Sequence, residues 1–306
     1  MSLKGVFKFA LLTAHVLIGM AGPLEIRSSE ELVHTPAGFI PKSNVHAVPK
    51  GARVHQSATE VHIIAANGTV LHSAPYTGSN SKPVGQIQRA TTSTRRDLQS
   101  GYIAYAYWNN AGASPISFFN TNWIVPPTPS SLDSQLVYWF NGLIPQALGW
   151  ILQPVLQYGV SPAGGGEFYA IASWWLVGNN AYHTDVIPVS SGTFLQGQMS
   201  LTGTSTSGGE MTYDYESTFV GYPDTTISAT NTTELTWAYE ALEMYNAESI
   251  SDLPSGNTMF SSIDISFQDG QHPPSISWNV ASDSMDGITM TVLSDSATTG
   301  SLLLTY

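Results

Sequence analysis

A β-sandwich is predicted for the main body of the chain by three observations. Beyond residue 97, short apolar or alternating runs follow one another from "GYIAYAYW" to "GSLLLTY". Breakers such as "VPPTPSS", "SPAGGG", "STSGG" and "DLPSGN" separate them. No window carries a convincing 3.6-residue stripe longer than ten residues, so alternation with period two is the dominant signal. Many strands without helices bury their apolar faces by stacking sheets. The only helix-tolerant stretch, "LTWAYEALEMYNAE", reads equally well as a strand rich in Trp and Tyr.

Taken from the start, the chain opens "MSLKGVFKFALLTAHVLIGMAG": two lysines, an apolar stretch over Phe9–Met20, then small residues. This is the pattern of a signal peptide, expected over residues 1–21, and it predicts a secreted protein. Residues 22–96 are basic and hold five of the eight histidines. Within them "EVHIIAANGTVLHSA" predicts two short strands around an Asn67-Gly68 turn. A Ser/Thr-rich linker follows and ends at Arg95-Arg96. A basic segment before a dibasic pair and an acidic body predicts a propeptide over 22–96 and a sandwich domain over 97–306.

Charge divides the chain at that same point. All ten Lys and Arg lie in the first 96 positions, whereas residues 97–306 hold 18 of the 22 Asp and Glu. An acidic body without cations excludes nucleic acid and anionic membranes as partners. It suits work at low pH, where carboxylates are largely protonated. With no cysteine in the sequence, no disulfide supports an exported fold, and core burial must stabilise it. Sequons at Asn67 and Asn231 are candidate glycosylation sites. A monomer is expected.

Elimination narrows the chemistry. The body has two histidines, His183 and His272, without metal-ligand spacing, and Asp283/Asp286 reads as a solvated loop. No metal and no cofactor is expected. There is no Cys nucleophile, no Lys base and no Gly-x-Ser-x-Gly elbow. Gly164-Gly165-Gly166 opens no helix and reads as a hairpin turn rather than a phosphate cradle. Carboxylates and amides remain. On "WAYEALEMY", Trp237, Tyr239, Ala241 and Glu243 share one face; a carboxyl among aromatics is desolvated, and its pKa rises. On "WILQPVLQYG", Gln153 and Gln157 share a face with Val155, and buried amides need partners. A solvated edge-strand glutamate with a hydrogen-bonded core glutamine fits these residues as well as a catalytic pair does.

These stretches resemble the glutamic peptidases of the eqolisin family, secreted acid proteases on a concanavalin-like antiparallel β-sandwich. The family's Trp strand and its Ile-Leu-Gln-Thr-Gly strand match Trp139 in "VYWFNG" and Gln157 in "VLQYG", and "AYEALEMY" puts Glu243 at the catalytic glutamate and Tyr245 at a family Phe. The resemblance spans roughly residues 100–270. It implies Glu243 as general base, Gln157 as oxyanion donor and Trp139 as a wall of the cleft that takes a peptide; Gln153, Trp175 and Tyr239 are further candidate substrate-binding residues. It departs from the family in three respects: an acidic residue of the family falls on Trp175, the family's disulfides are missing, and "ILQP" supplies a second glutamine, Gln153. Two other functions fit. One is a non-proteolytic enzyme of fungal secondary metabolism, such as a hetero-Diels-Alderase, taking a small hydrophobic substrate into an aromatic pocket. The other is a lectin-like carbohydrate-binding module.

Overall fold

A computed structural model describes residues 30–76, 98, 100–111, 114–207 and 209–306. The expected signal peptide and the Arg95-Arg96 pair lie outside the described residues. The basic segment forms β1 (Leu32–Thr35), β2 (Gly38–Pro41), β3 (Val45–Ala47), β4 (Arg53–Gln56), β5 (Glu60–Ile64) and β6 (Val70–Pro75). The body continues with β7 (Gly101–Asn109), β8 (Ile116–Ile124), β9 (Leu136–Pro145), β10 (Trp150–Ser161) and β11 (Gly164–Val177). Next come β12 (Asn180–His183), β13 (Ile187–Pro188), β14 (Phe194–Ser207), β15 (Glu210–Phe219) and β16 (Tyr222–Asn231). The last strands are β17 (Leu235–Tyr245), β18 (Asn257–Phe267), β19 (Asn279–Ala281), β20 (Thr289–Ser294) and β21 (Gly300–Thr305). Among the described residues the helical pieces are two three-residue 3-10 turns. The ambiguous stretch is the strand β17.

Two large sheets stack as a β-sandwich, as the sequence predicts. The first runs β19-β7-β17-β9-β10-β11-β12-β3, with β13 also on β11. The second runs β20-β21-β18-β8-β14-β15-β16-β4-β5-β6. Their facing sides form the main core, where Trp139, Leu152, Leu156 and Trp175 meet Trp123, Met199, Tyr215 and Phe260. Alternation therefore fixes which residues of the first sheet look the other way. Tyr138, Phe140, Val155, Trp174, Ala241 and Tyr245 belong to a second apolar cluster on its outer face.

The basic segment is woven into both sheets. β3 adds to β12 and β4 adds to β16, both in parallel, whereas the body strands pair with one another antiparallel. Edge strands expose unpaired backbone groups, and covering them removes a site of unwanted pairing. The Asn67-Gly68 turn joins β5 and β6 as expected, with Gly68 at φ 85°. Asn67 is exposed there, but Asn231 is fully buried, with neither side-chain polar atom hydrogen-bonded to protein. The expectation of a glycan at Asn231 is corrected on that ground, because a sugar there has no room in the folded chain.

Candidate active site

Glu243 stands on the outer face of β17, flanked across the ladders by Tyr102 of β7 and Tyr138 of β9. It is fully buried. Tyr245, two residues on and on the same face, donates its hydroxyl to Glu243 Oε1. Burial pushes the carboxyl up to about 8, against the opposing pull of the Tyr245 and Ala37 donors. Strand parity and aromatic neighbours gave this expectation from the sequence, and the geometry agrees with it.

The group closing the site comes from the basic segment. β1 and β2 form a hairpin with the two-residue loop Pro36-Ala37. Proline fixes its own φ, and the next position then takes a positive one. Ala37 sits at φ 107°, a conformation costing an alanine roughly 1–3 kcal/mol unless its surroundings hold it. They do hold it. Ala37 N–H donates to Glu243 Oε2 at 2.8 Å, and Gln153 Nε2 donates to the Pro36 carbonyl at 2.9 Å. One peptide unit, Pro36–Ala37, is thus held by Gln153 at its oxygen and by Glu243 at its nitrogen. Tyr138 adds a hydroxyl donated to the His34 carbonyl at 3.3 Å.

Gln157 does something else. Its Nε2 donates to the carbonyls of Gly159 (3.1 Å) and Gly164 (2.9 Å), and its Oε1 accepts from Ser161 Oγ (2.9 Å). Both amide hydrogens are spent on the β10–β11 hairpin. A Cβ on Gly165 would lie 2.4 Å from Gln157 Nε2, so the glycine run is the seat of this amide. In the lateral row, Tyr138 stands between Gln157 and Glu243. The expected pairing of Gln157 with Glu243 is therefore corrected: the glutamine converging with Glu243 is Gln153, whose Oε1 has no protein partner.

Two substrate-binding expectations also change. Trp139 and Trp175 are fully buried in the inter-sheet core, and Trp139 Nε1 donates to the Tyr306 hydroxyl at 2.6 Å. Neither walls the site. Trp174, one position from Trp175, faces it and pairs across the ladder with Gln153. Tyr239 lies on the outer face but in a stacked row, with Tyr107 at 5.6 Å and Tyr105 at 6.4 Å; Trp237 continues the row from Tyr107 at 5.5 Å. Asp283 is buried rather than solvated, at 4% exposure, and its pKa is raised, first by burial. The sequence reading missed Tyr102, Tyr138 and the Pro36-Ala37 turn. "HTPAGF", proline then glycine between apolar residues, was the hairpin signal that could have found the turn. Among the described residues no group of three or more His, Asp or Glu is placed to hold a metal ion.

No protein-family model matches the sequence, and no curated protein matches it. Solved structures do. The chain is similar to scytalido-glutamic peptidase, solved with a peptide-based transition-state analogue, at 16% identity and a TM-score of 0.45, over 67% of this chain and 98% of that one. It is also similar to SCP-B, a member of the eqolisin family of peptidases solved with the tripeptide Ala-Ile-His. There the identity is 14% and the TM-score 0.43, over 68% of this chain and 98% of that one. Neither likeness assigns a role to any residue here. The chain is a β-sandwich protein similar to the glutamic peptidases of the eqolisin family.

Proposed function

We propose that the protein is a secreted, acid-acting glutamic-type endopeptidase whose working pair is Gln153 and Glu243. The observation that carries this reading is the Pro36–Ala37 peptide unit, met at both polar atoms by these two side chains. A neutral amide donor at the carbonyl oxygen and a carboxyl at the nitrogen are the two groups amide hydrolysis needs. Ionised Glu243 takes a proton from water, whose oxygen adds to the carbonyl carbon. Gln153 Nε2–H donates to the oxygen as it becomes an oxyanion. The proton on Glu243 then passes to the nitrogen, the C–N bond breaks, and an acid and an amine leave. An amide cannot titrate, so Gln153 remains a donor at any acid pH.

The remaining expectations follow this reading. Residues 1–21 direct export, Asn67 carries the glycan, and the monomer takes a peptide and neither nucleic acid nor membrane. Among the described residues no helix is long and apolar enough to cross a membrane. A second reading has one observation in its favour. The stacked row of Tyr105, Tyr239, Tyr107 and Trp237 would suit a small hydrophobic molecule oriented without a nucleophile. Casein digestion at about pH 3–4, where a solvated carboxyl still holds a fraction of its charge, separates the two. Digestion abolished by Glu243→Gln is expected; no digestion by a folded chain whose turn has been displaced removes the peptidase reading.

A further inference from the structure

The occupant of the site is part of this chain, and its sequence carries information. His34 lies with its ring 4.3 Å from Tyr245, edge on, and 4.3 Å from Phe39. Thr35 is fully buried, and Ile40 is anchored in the outer-face cluster. The β1–β2 pair joins neither large sheet among the described residues. It can leave without breaking a ladder, whereas β3 and β4 cannot. The Lys42–Glu31 ion pair closes the open end of the hairpin on itself and ties it to neither sheet. Short, detached from the ladders and strained at Ala37, the hairpin is held by what grips its turn and by the seat of Ile40 in the outer-face cluster.

We infer that the site is made already filled. The segment His34–Gly38 is a resident peptide ligand, and it reports the preferred substrate: a bond between proline and a small residue, with an imidazole or aromatic ring two positions before the proline. For binding this rests on the geometry alone; for cleavage it rests on the peptidase reading. The resident bond survives because its own docking seals the site. Glu243 has no exposed surface and Pro36 is buried, which leaves no room for a water between carboxyl and carbonyl carbon, and burial keeps the carboxyl protonated and unable to act as a base below about 8. Release of the turn rewets the carboxyl, restores its charge and admits a second peptide.

The test uses the full chain and a fluorescein-labelled nonapeptide, LVHTPAGFI, the sequence of residues 32–40. Ala37→Pro removes the N–H that Glu243 accepts and forbids the positive φ, so the turn cannot dock. This variant should bind the nonapeptide at least ~10-fold more tightly than the wild type, the ratio expected when one competing hydrogen bond is removed. A nonapeptide with His replaced by Ala should bind several-fold more weakly. Equal binding to both proteins, or an Ala-for-His peptide that binds as well, overturns the inference. Ile40→Asp removes the hairpin's buried anchor without touching the turn, and it serves if Ala37→Pro fails to fold. Any cleavage should fall between Pro and Ala; a cut elsewhere overturns it. An open variant that binds the peptide but cuts neither it nor casein supports this inference and removes the peptidase reading. One that digests casein but ignores the peptide does the reverse.

Discussion

Gln153 and Gln157 lie four residues apart on one strand, on one face, both without exposed surface. At the Gln157 end the amide is closed by its own hairpin: two glycine carbonyls and a serine satisfy it. At the Gln153 end the amide reaches across space to a chain segment more than a hundred residues distant, and its oxygen is left without a protein partner. The difference teaches how to read a buried amide. Where all its bonds are local, it fastens the fold; where its bonds are long-range and incomplete, it is available for binding.

The largest effect should come from Glu243. Glu243→Gln in an open-turn background should abolish peptide hydrolysis while leaving the nonapeptide bound, as fluorescence titration would show. Hydrolysis within a few-fold of the parent would break the comparison, because neither glutamine would then face a working carboxyl. Next is Gln157→Ala, which should cost about 3 kcal/mol of stability through three lost hydrogen bonds and a small cavity. Thermal unfolding measures it, and an unchanged Tm would refute the fastening role.

Glu240 sharpens the same lesson on β17. It is fully buried toward the second sheet, bonded by Thr121, with Oε2 unpartnered, and burial raises its pKa well above the ordinary carboxylate value. A carboxyl raised on folding stabilises fully below its unfolded pKa, and this contribution is lost as pH rises toward the folded one. Above about pH 4.5, Glu240→Gln should therefore gain on the wild type by about 1.4 kcal/mol per pH unit. Glu243, pushed up to about 8, acts in the same sense between about 4.5 and 8. His46 opposes both: burial first, then His72, lowers its pKa to about 4, so its contribution is present above 6.5 and lost as pH falls toward 4. Denaturant unfolding across that range separates the three. The smallest effect should be Trp175→Phe, about 1–2 kcal/mol of lost packing with peptide preference unchanged. A shifted cleavage preference would return Trp175 to the site.

Much of this was legible in the sequence because alternation is local. The strand "AYEALEMY" placed Glu243 among tyrosines, and Asn67-Gly68 announced its hairpin. Parity also separates Trp174 from Trp175, yet nothing local says which face is the core, and the wrong one was expected. The choice between glutamines was hidden for a different reason. It depends on a hairpin from residues 32–41 folding over β10, a contact that no periodicity encodes. The same applies to β3 and β4, whose parallel pairing with the body made a seemingly separate segment part of both sheets.

The central claim is that Gln153, and not Gln157, works with Glu243. It is tested most directly by kcat/KM on one peptide at acid pH, in the Ala37→Pro background, for Gln153→Ala and Gln157→Ala side by side. Losing an oxyanion donor costs roughly 10²–10³ in rate. Gln153→Ala should show that loss, and Gln157→Ala should stay within a few-fold once folded protein is counted. The reverse order, or two equal losses in fully folded protein, would contradict the account.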